Sequence, residues 1–118
     1  MKGLSIRQPW VNLILTGHKT IETRTWSTKY RGDLLIVASK SPRIEPYGCA
    51  VAVVTLSDVR VMTKQDESYA CCEIYPKAHS WVLTNLRPIM PIPMKGALGI
   101  FNVDLDPWDL SFTYHDPK

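Results

Sequence analysis

The run of residues 49–62 constrains the fold most. It is rich in valine and reads as one long strand. Ala50, Ala52, Val54 and Leu56 alternate with Val51, Val53 and Thr55, so both faces start out apolar. Ser57-Asp58 marks a bulge or bend, after which Val59, Arg60 and Val61 alternate in the ordinary way. Leu34-Leu35-Ile36-Val37-Ala38 has the length and branching of a second buried strand. Clear helical spacing occurs early, over residues 8–16. Pro9 suits the first turn, Trp10, Leu13 and Ile14 form the buried stripe, and Gly17 takes the left-handed position that ends the helix.

Shorter strands are expected over residues 4–6, 20–26, 80–85 and 100–103. Residues 66–72 read as a short helix ended by Tyr75-Pro76. Pro88, Pro91 and Pro93 make residues 87–93 extended or irregular. Many short strands, one clear helix and short connections give the α+β class, with a curled sheet or small β-barrel.

The chain has 118 residues, enough for one domain. We place that domain over residues 1–103, with residues 104–118 as a C-terminal surface extension. No apolar run approaches the roughly 20 residues that cross a bilayer, so no membrane contact and a cytoplasmic location are expected. Cys49 stands alone and Cys71-Cys72 are adjacent, a poor disulfide framework that suits reduced thiols. Cys71, Cys72 and His79 fit no zinc spacing, and His18 and His115 are distant in sequence, so neither metal nor cofactor is expected. The net charge of +3 is unevenly spread. Arg7, Lys19, Arg24, Lys29, Arg31, Lys40 and Arg43 crowd the N-terminal third, while Asp104, Asp106, Asp109 and Asp116 lie in the tail. A basic N-terminal third suits phosphate or nucleic-acid contact, although a solvated basic surface would look the same.

The densest polar stretch is Gly17-His18-Lys19-Thr20-Ile21-Glu22-Thr23-Arg24. As a strand, residues 20–26 would put Thr20, Glu22, Arg24 and Trp26 on one face and Ile21, Thr23 and Thr25 on the other. Lys19, in the turn, can reach the polar face. Arg7, Lys19, Glu22 and Arg24 are expected to converge on one concave surface. The plainer alternative is an exposed strand edge carrying an ordinary Glu–Arg pair.

Leu4-Ser5-Ile6-Arg7-Gln8-Pro9-Trp10, followed by this stretch, resembles the signature of the ASCH domain family. Gly17, Lys19, Glu22 and Arg24 fit its Gly-x-Lys-x-x-Glu-x-Arg pattern in full, and Trp81-Val82-Leu83 and residues 94–101 are similar to later parts of the family. The resemblance implies a small PUA-like β-barrel with flanking helices. It also implies nucleic-acid binding, mostly of RNA, in the cleft beside the motif. On that basis Arg7, Gln8, Lys19, Thr20, Glu22, Arg24, Trp26 and Lys95 are the candidate contacts to RNA or to a nucleotide or nucleoside ligand. Trp10 and Trp81 are more readily read as core than as stacking platforms.

Some small members of the family are similar to acetylcytidine amidohydrolases, whose motif has a threonine nucleophile activated by lysine. This chain keeps Lys19 and Thr20, but Glu22 stands at the nucleophile position. As a hydrolase it would use Lys19 and Glu22 as catalytic residues, with Glu22 as base for a water. Other members are ribonucleases, for which Lys19 and Tyr30 are the available side chains. Binding is preferred to catalysis, because a fold does not fix a chemistry.

Overall fold

The computed structural model describes residues 1–113. Six strands form one sheet: β1 (Lys2–Ile6), β2 (Ile21–Arg24), β3 (Gly32–Ala38), β4 (Cys49–Val61), β5 (His79–Pro93) and β6 (Ile100–Asn102). Their order across the sheet is β2-β5-β4-β3-β1-β6. Every pairing is antiparallel except β1 with β3. The sheet curls into a half-barrel, as the α+β reading with a curled sheet expects.

The long valine-rich strand is present, and its two apolar faces have a reason. Ala52, Val54 and Leu56 of β4 join Leu4, Ile6, Leu34, Ile36 and Trp81 in one buried cluster. Ala50 and Val53 pack with Leu35, Val37 and Ile89 in another. The register shifts between Leu56 and Asp58, so the bulge read from Ser57-Asp58 is there. A bulge increases local twist, which helps a long strand follow a curled sheet.

The proline-rich segment, expected to be extended or irregular, is extended: it is the second half of β5, which runs to Pro93. β2 pairs only with His79–Val82, so beyond that point β4 is the one full neighbour and proline costs little on the other edge. The early-helix reading needs correction: the helix is shorter than expected. It is α1 (Trp10–Leu15), with Pro9 at its N-cap and Gly17 beyond its end at φ 83°. Its buried residues are Val11 and Ile14, which share the first cluster; Trp10 turns outward.

Residues 104–113 run mostly exposed along the surface, yet Leu110 is buried in the second cluster. The Met90 and Thr113 amides donate to the Ser111 and Pro88 carbonyls, tying this stretch to β5. Residues 114–118 of the expected extension, His115 among them, lie outside the described residues. Among the described residues, no helix is long and apolar enough to cross a membrane. Cys49, Cys71 and Cys72 are free thiols.

A 3-10 turn (Lys64–Asp66) leads into the four-residue α2 (Glu67–Ala70), which replaces the longer helix expected over residues 66–72. Asp66 organises this corner. Its carboxylate accepts from the Thr63 amide at 3.0 Å, the Ser80 hydroxyl at 2.9 Å and Arg60 at 2.8 Å. Burial works to raise the Asp66 pKa, but those three donors outweigh it and hold the group below its ordinary 3.8. A depressed carboxyl stabilises the fold at neutral pH, and that contribution is lost as pH falls through the folded value. Asp66→Asn should therefore unfold more easily at pH 7 and show a shallower loss of stability below about pH 4. Denaturant midpoints between pH 2 and 7 check this, and an acid slope equal to that of wild type would remove Asp66 from the account.

Candidate functional site

β2 and β1 are not neighbours in the sheet; the strands β5, β4 and β3 separate them in the ladder. Curling brings them round to face each other across a gap, and the polar motif fills it. The Arg24 guanidinium, on β2, donates to the Ser5 carbonyl of β1 at 2.8 Å. The same Nη2 lies 3.1 Å from Glu22 Oε2. On the other side of the carboxylate, Lys19 Nζ stands 3.5 Å from Glu22 Oε1 and donates to the Ala70 carbonyl at 2.6 Å. A side chain, rather than a ladder of backbone bonds, thus connects β2 to β1, while α2 is tied by Lys19 and by the Thr20 amide, which donates to the Tyr69 carbonyl at 2.9 Å.

The local sequence explains how Lys19 reaches this place. Gly17 reverses the chain after α1, and the Lys19 amide donates back to the Leu13 carbonyl at 2.9 Å. The lysine stem is then directed inward. Lys19 is 3% exposed and Glu22 8%, and the Arg24 side chain is itself mostly covered, so the reading of an exposed edge with an ordinary Glu–Arg pair does not hold. The ammonium also sits 5.2 Å from the centre of the Trp10 ring, where the negative π-face attracts a cation. Glu22 completes its coordination with the Thr23 amide at 3.2 Å.

Around this ion triad is a cleft of about 380 Å³, lined by Ser5, Arg7, Trp10, Lys19, Glu22, Thr23, Arg24, Cys72 and Tyr75. Arg7, Lys19, Glu22 and Arg24 do converge. Several other candidates do not reach the cleft. Gln8 is 3% exposed, and its side-chain amide is bound to Asn12 and to the Pro46 carbonyl, so it braces a loop and cannot meet a ligand. Thr20 precedes β2 and lines a separate, largely apolar cavity with Ile14, Val82 and Leu83. Trp26 lies past the end of β2 and packs edge-on against Trp81, with centroids 4.7 Å apart. Trp81 itself is fully buried, as read. Lys95 lines an adjoining groove that shares Ser5, Arg7 and Arg24 with the cleft. Tyr30 is held by the Asp33 carbonyl at 2.6 Å and is absent from the cleft wall.

Five cleft residues escaped the sequence reading, Ser5 of β1 among them. Trp10 was assigned to the core, but it is 37% exposed and walls the cleft. Thr23 does alternate away from Glu22, toward α2, where its hydroxyl lies 3.8 Å from Cys72 Sγ. β2 is an edge strand, however, and the cleft follows its edge, so Thr23 lines it too. Tyr75 and Cys72 come from the loop after α2, which carries no periodic signal.

The sequence profile of the ASCH domain matches residues 4–93. The chain belongs to the ASCH domain family. The crystal structure of ASCH from Zymomonas mobilis matches 77% of this chain and 71% of its own, with a TM-score of 0.53 and 18% identity. A tyrosine-to-phenylalanine mutant of that protein gives a TM-score of 0.57 at 18% identity, over 77% of this chain and 73% of its own. At this identity the likeness establishes the fold, a PUA-like half-barrel. Activating signal cointegrator 1 of Homo sapiens is 47% identical over 36 residues, which is 30% of this chain and 6% of that protein. The Mus musculus protein of the same name matches to the same extent. The chain therefore spans a small part of the curated relatives that it matches.

The buried triad of this ASCH domain predicts a stability effect. Lys19→Met leaves the Ala70 carbonyl without its partner and Glu22 with one cation fewer. The loss should be about 1.5–3 kcal/mol, the range for a hydrogen bond to a charged group. Urea denaturation reads it directly. A change below about 0.5 kcal/mol, the size of an ordinary surface substitution, would mean that the triad does not hold the cleft together.

Proposed function

We propose that the cleft between β1 and β2 binds single-stranded RNA, with Arg7 and Arg24 facing the sugar-phosphate chain and one base seated against Trp10 and Tyr75. The observation that carries this reading is the make-up of the cleft wall. Three cations, Arg7, Lys19 and Arg24, meet one carboxylate there, and two half-exposed aromatic rings flank them. A positive surface beside aromatic faces is what an unstacked, phosphate-bearing base requires. Free thiols at Cys49, Cys71 and Cys72 suit a reducing cytoplasmic setting.

Glu22 supports binding over general-base catalysis. Its carboxylate already engages Lys19, Arg24 and the Thr23 amide, so its oxygens are taken up by these donors rather than open to a reacting water. Its role in this reading is to fix the two cations in position. Hydrolysis of an acylated cytidine is the second reading, and one observation favours it: Thr23 lines the same cleft as Lys19. Cytidine release from acetylcytidine, lost in Thr23→Ala, would move the assignment to that side.

The binding reading is tested with a labelled single-stranded RNA by fluorescence anisotropy. Affinity should fall as salt rises, because bound phosphates displace counterions. Trp10→Ala should cost about 1–3 kcal/mol, the value of one base–aromatic stack. Arg24→Ala should weaken binding and reduce the salt dependence together. Absence of any salt-sensitive complex at micromolar protein would overturn the proposal.

A further inference from the structure

The cleft does not end at Arg24. A second groove of about 550 Å³ opens beside it, lined by Ser5, Arg7, Arg24, Ser39, Lys40, Lys95 and the loop over residues 96–99. The two depressions share Ser5, Arg7 and Arg24, so they form one continuous channel with the arginines at its waist. The charge changes along it. The first half contains Glu22, whereas the second has four cations and no acidic residue. Arg7, Lys40 and Lys95 have no ion-pair partner among the described residues, unlike Lys19 and Arg24. The second half also lacks aromatic side chains.

We propose that this second groove is a phosphate track, in which Lys40 and Lys95 hold the backbone of nucleotides adjoining the base in the first cleft. The ligand class is thus an oligonucleotide spanning at least two phosphates rather than a free nucleoside. This inference rests on the RNA-binding reading above and deepens it. The chemistry follows from what each half offers: aromatic faces with paired cations hold a base, and unpaired cations without aromatic faces hold phosphates.

The backbone geometry fits a fixed track. Residue 96 crosses so close to Ser5 that a Cβ there would collide with the Ser5 hydroxyl. Glycine at this position lets the Lys95 loop lie against β1, which sets Lys95 beside Arg7 and Arg24. Ser5 Oγ is buried at this waist without a hydrogen-bond partner.

The test compares a fluorescein-labelled hexaribonucleotide of mixed sequence with the four nucleoside 5′-monophosphates. Wild type should bind the hexamer more tightly than any mononucleotide. In Lys40→Ala/Lys95→Ala the ratio of hexamer to mononucleotide affinity should fall about tenfold at 0.1 M salt, and the slope of log K against log salt should shrink by about 1.4, or 0.7 for each single-strand phosphate released. Lys40→Arg/Lys95→Arg keeps the charge and should retain the ratio. Equal hexamer and mononucleotide affinities, or an unchanged slope in the double alanine variant, would overturn the track while the base cleft stands. Failure of wild type to bind either probe would overturn both readings. Poly-glutamate that displaces the hexamer as well as unlabelled RNA does would make the groove a general acidic-polymer surface, and the track would again be lost.

Discussion

The Glu22 carboxylate, held between Lys19 and Arg24, is the interaction on which the rest of the cleft depends. The half-barrel has an opening where β1 and β2 face each other without pairing. No strand pairing spans it; the Arg24 side chain does, braced by Glu22, and Lys19 ties the same carboxylate to α2. Arg24 reaches the Ser5 carbonyl on β1, and Lys19 reaches the Ala70 carbonyl at the end of α2. An isolated buried cation would be costly, and so would an isolated buried carboxylate. Together, with carbonyls taking up the remaining donors, they become tolerable. The same arrangement leaves the cleft with excess positive charge, because two cations share one anion and Arg7 adds another.

Much of this was legible in the sequence, and the failures have physical causes. Lys19, Glu22 and Arg24 could be grouped because the turn at Gly17 and a two-residue period dictate their proximity. Trp10 was misjudged because helical spacing says which residues share a face, and not which face is covered; α1 buries Val11 and Ile14 instead. Gln8 looked like a polar contact because its partners, Asn12 and the Pro46 carbonyl, include one 38 residues away. The course of β5 through residues 87–93 was left open by its prolines, whose cost depends on whether a neighbour needs their missing N–H. Sequence cannot report that β2 stops at Arg24 and leaves the edge open. Tyr75 and Cys72 enter the cleft only through the path of an aperiodic loop.

The position of the cleft at a sheet edge also bears on what it can hold. An exposed edge strand invites a second chain to add to the sheet. β2 is four residues long, and the outward amide of Thr23 is already bonded to Glu22 Oε1. Charged and tucked in, this edge offers little to an extended peptide seeking backbone bonds. What remains available is the wall of side chains: guanidinium groups and two aromatic rings. Those groups recognise charge and π-faces rather than a strand's amides. The carboxylate that closes the half-barrel therefore also removes strand addition as a way of filling the gap, and this favours a ligand that carries its own phosphates and bases.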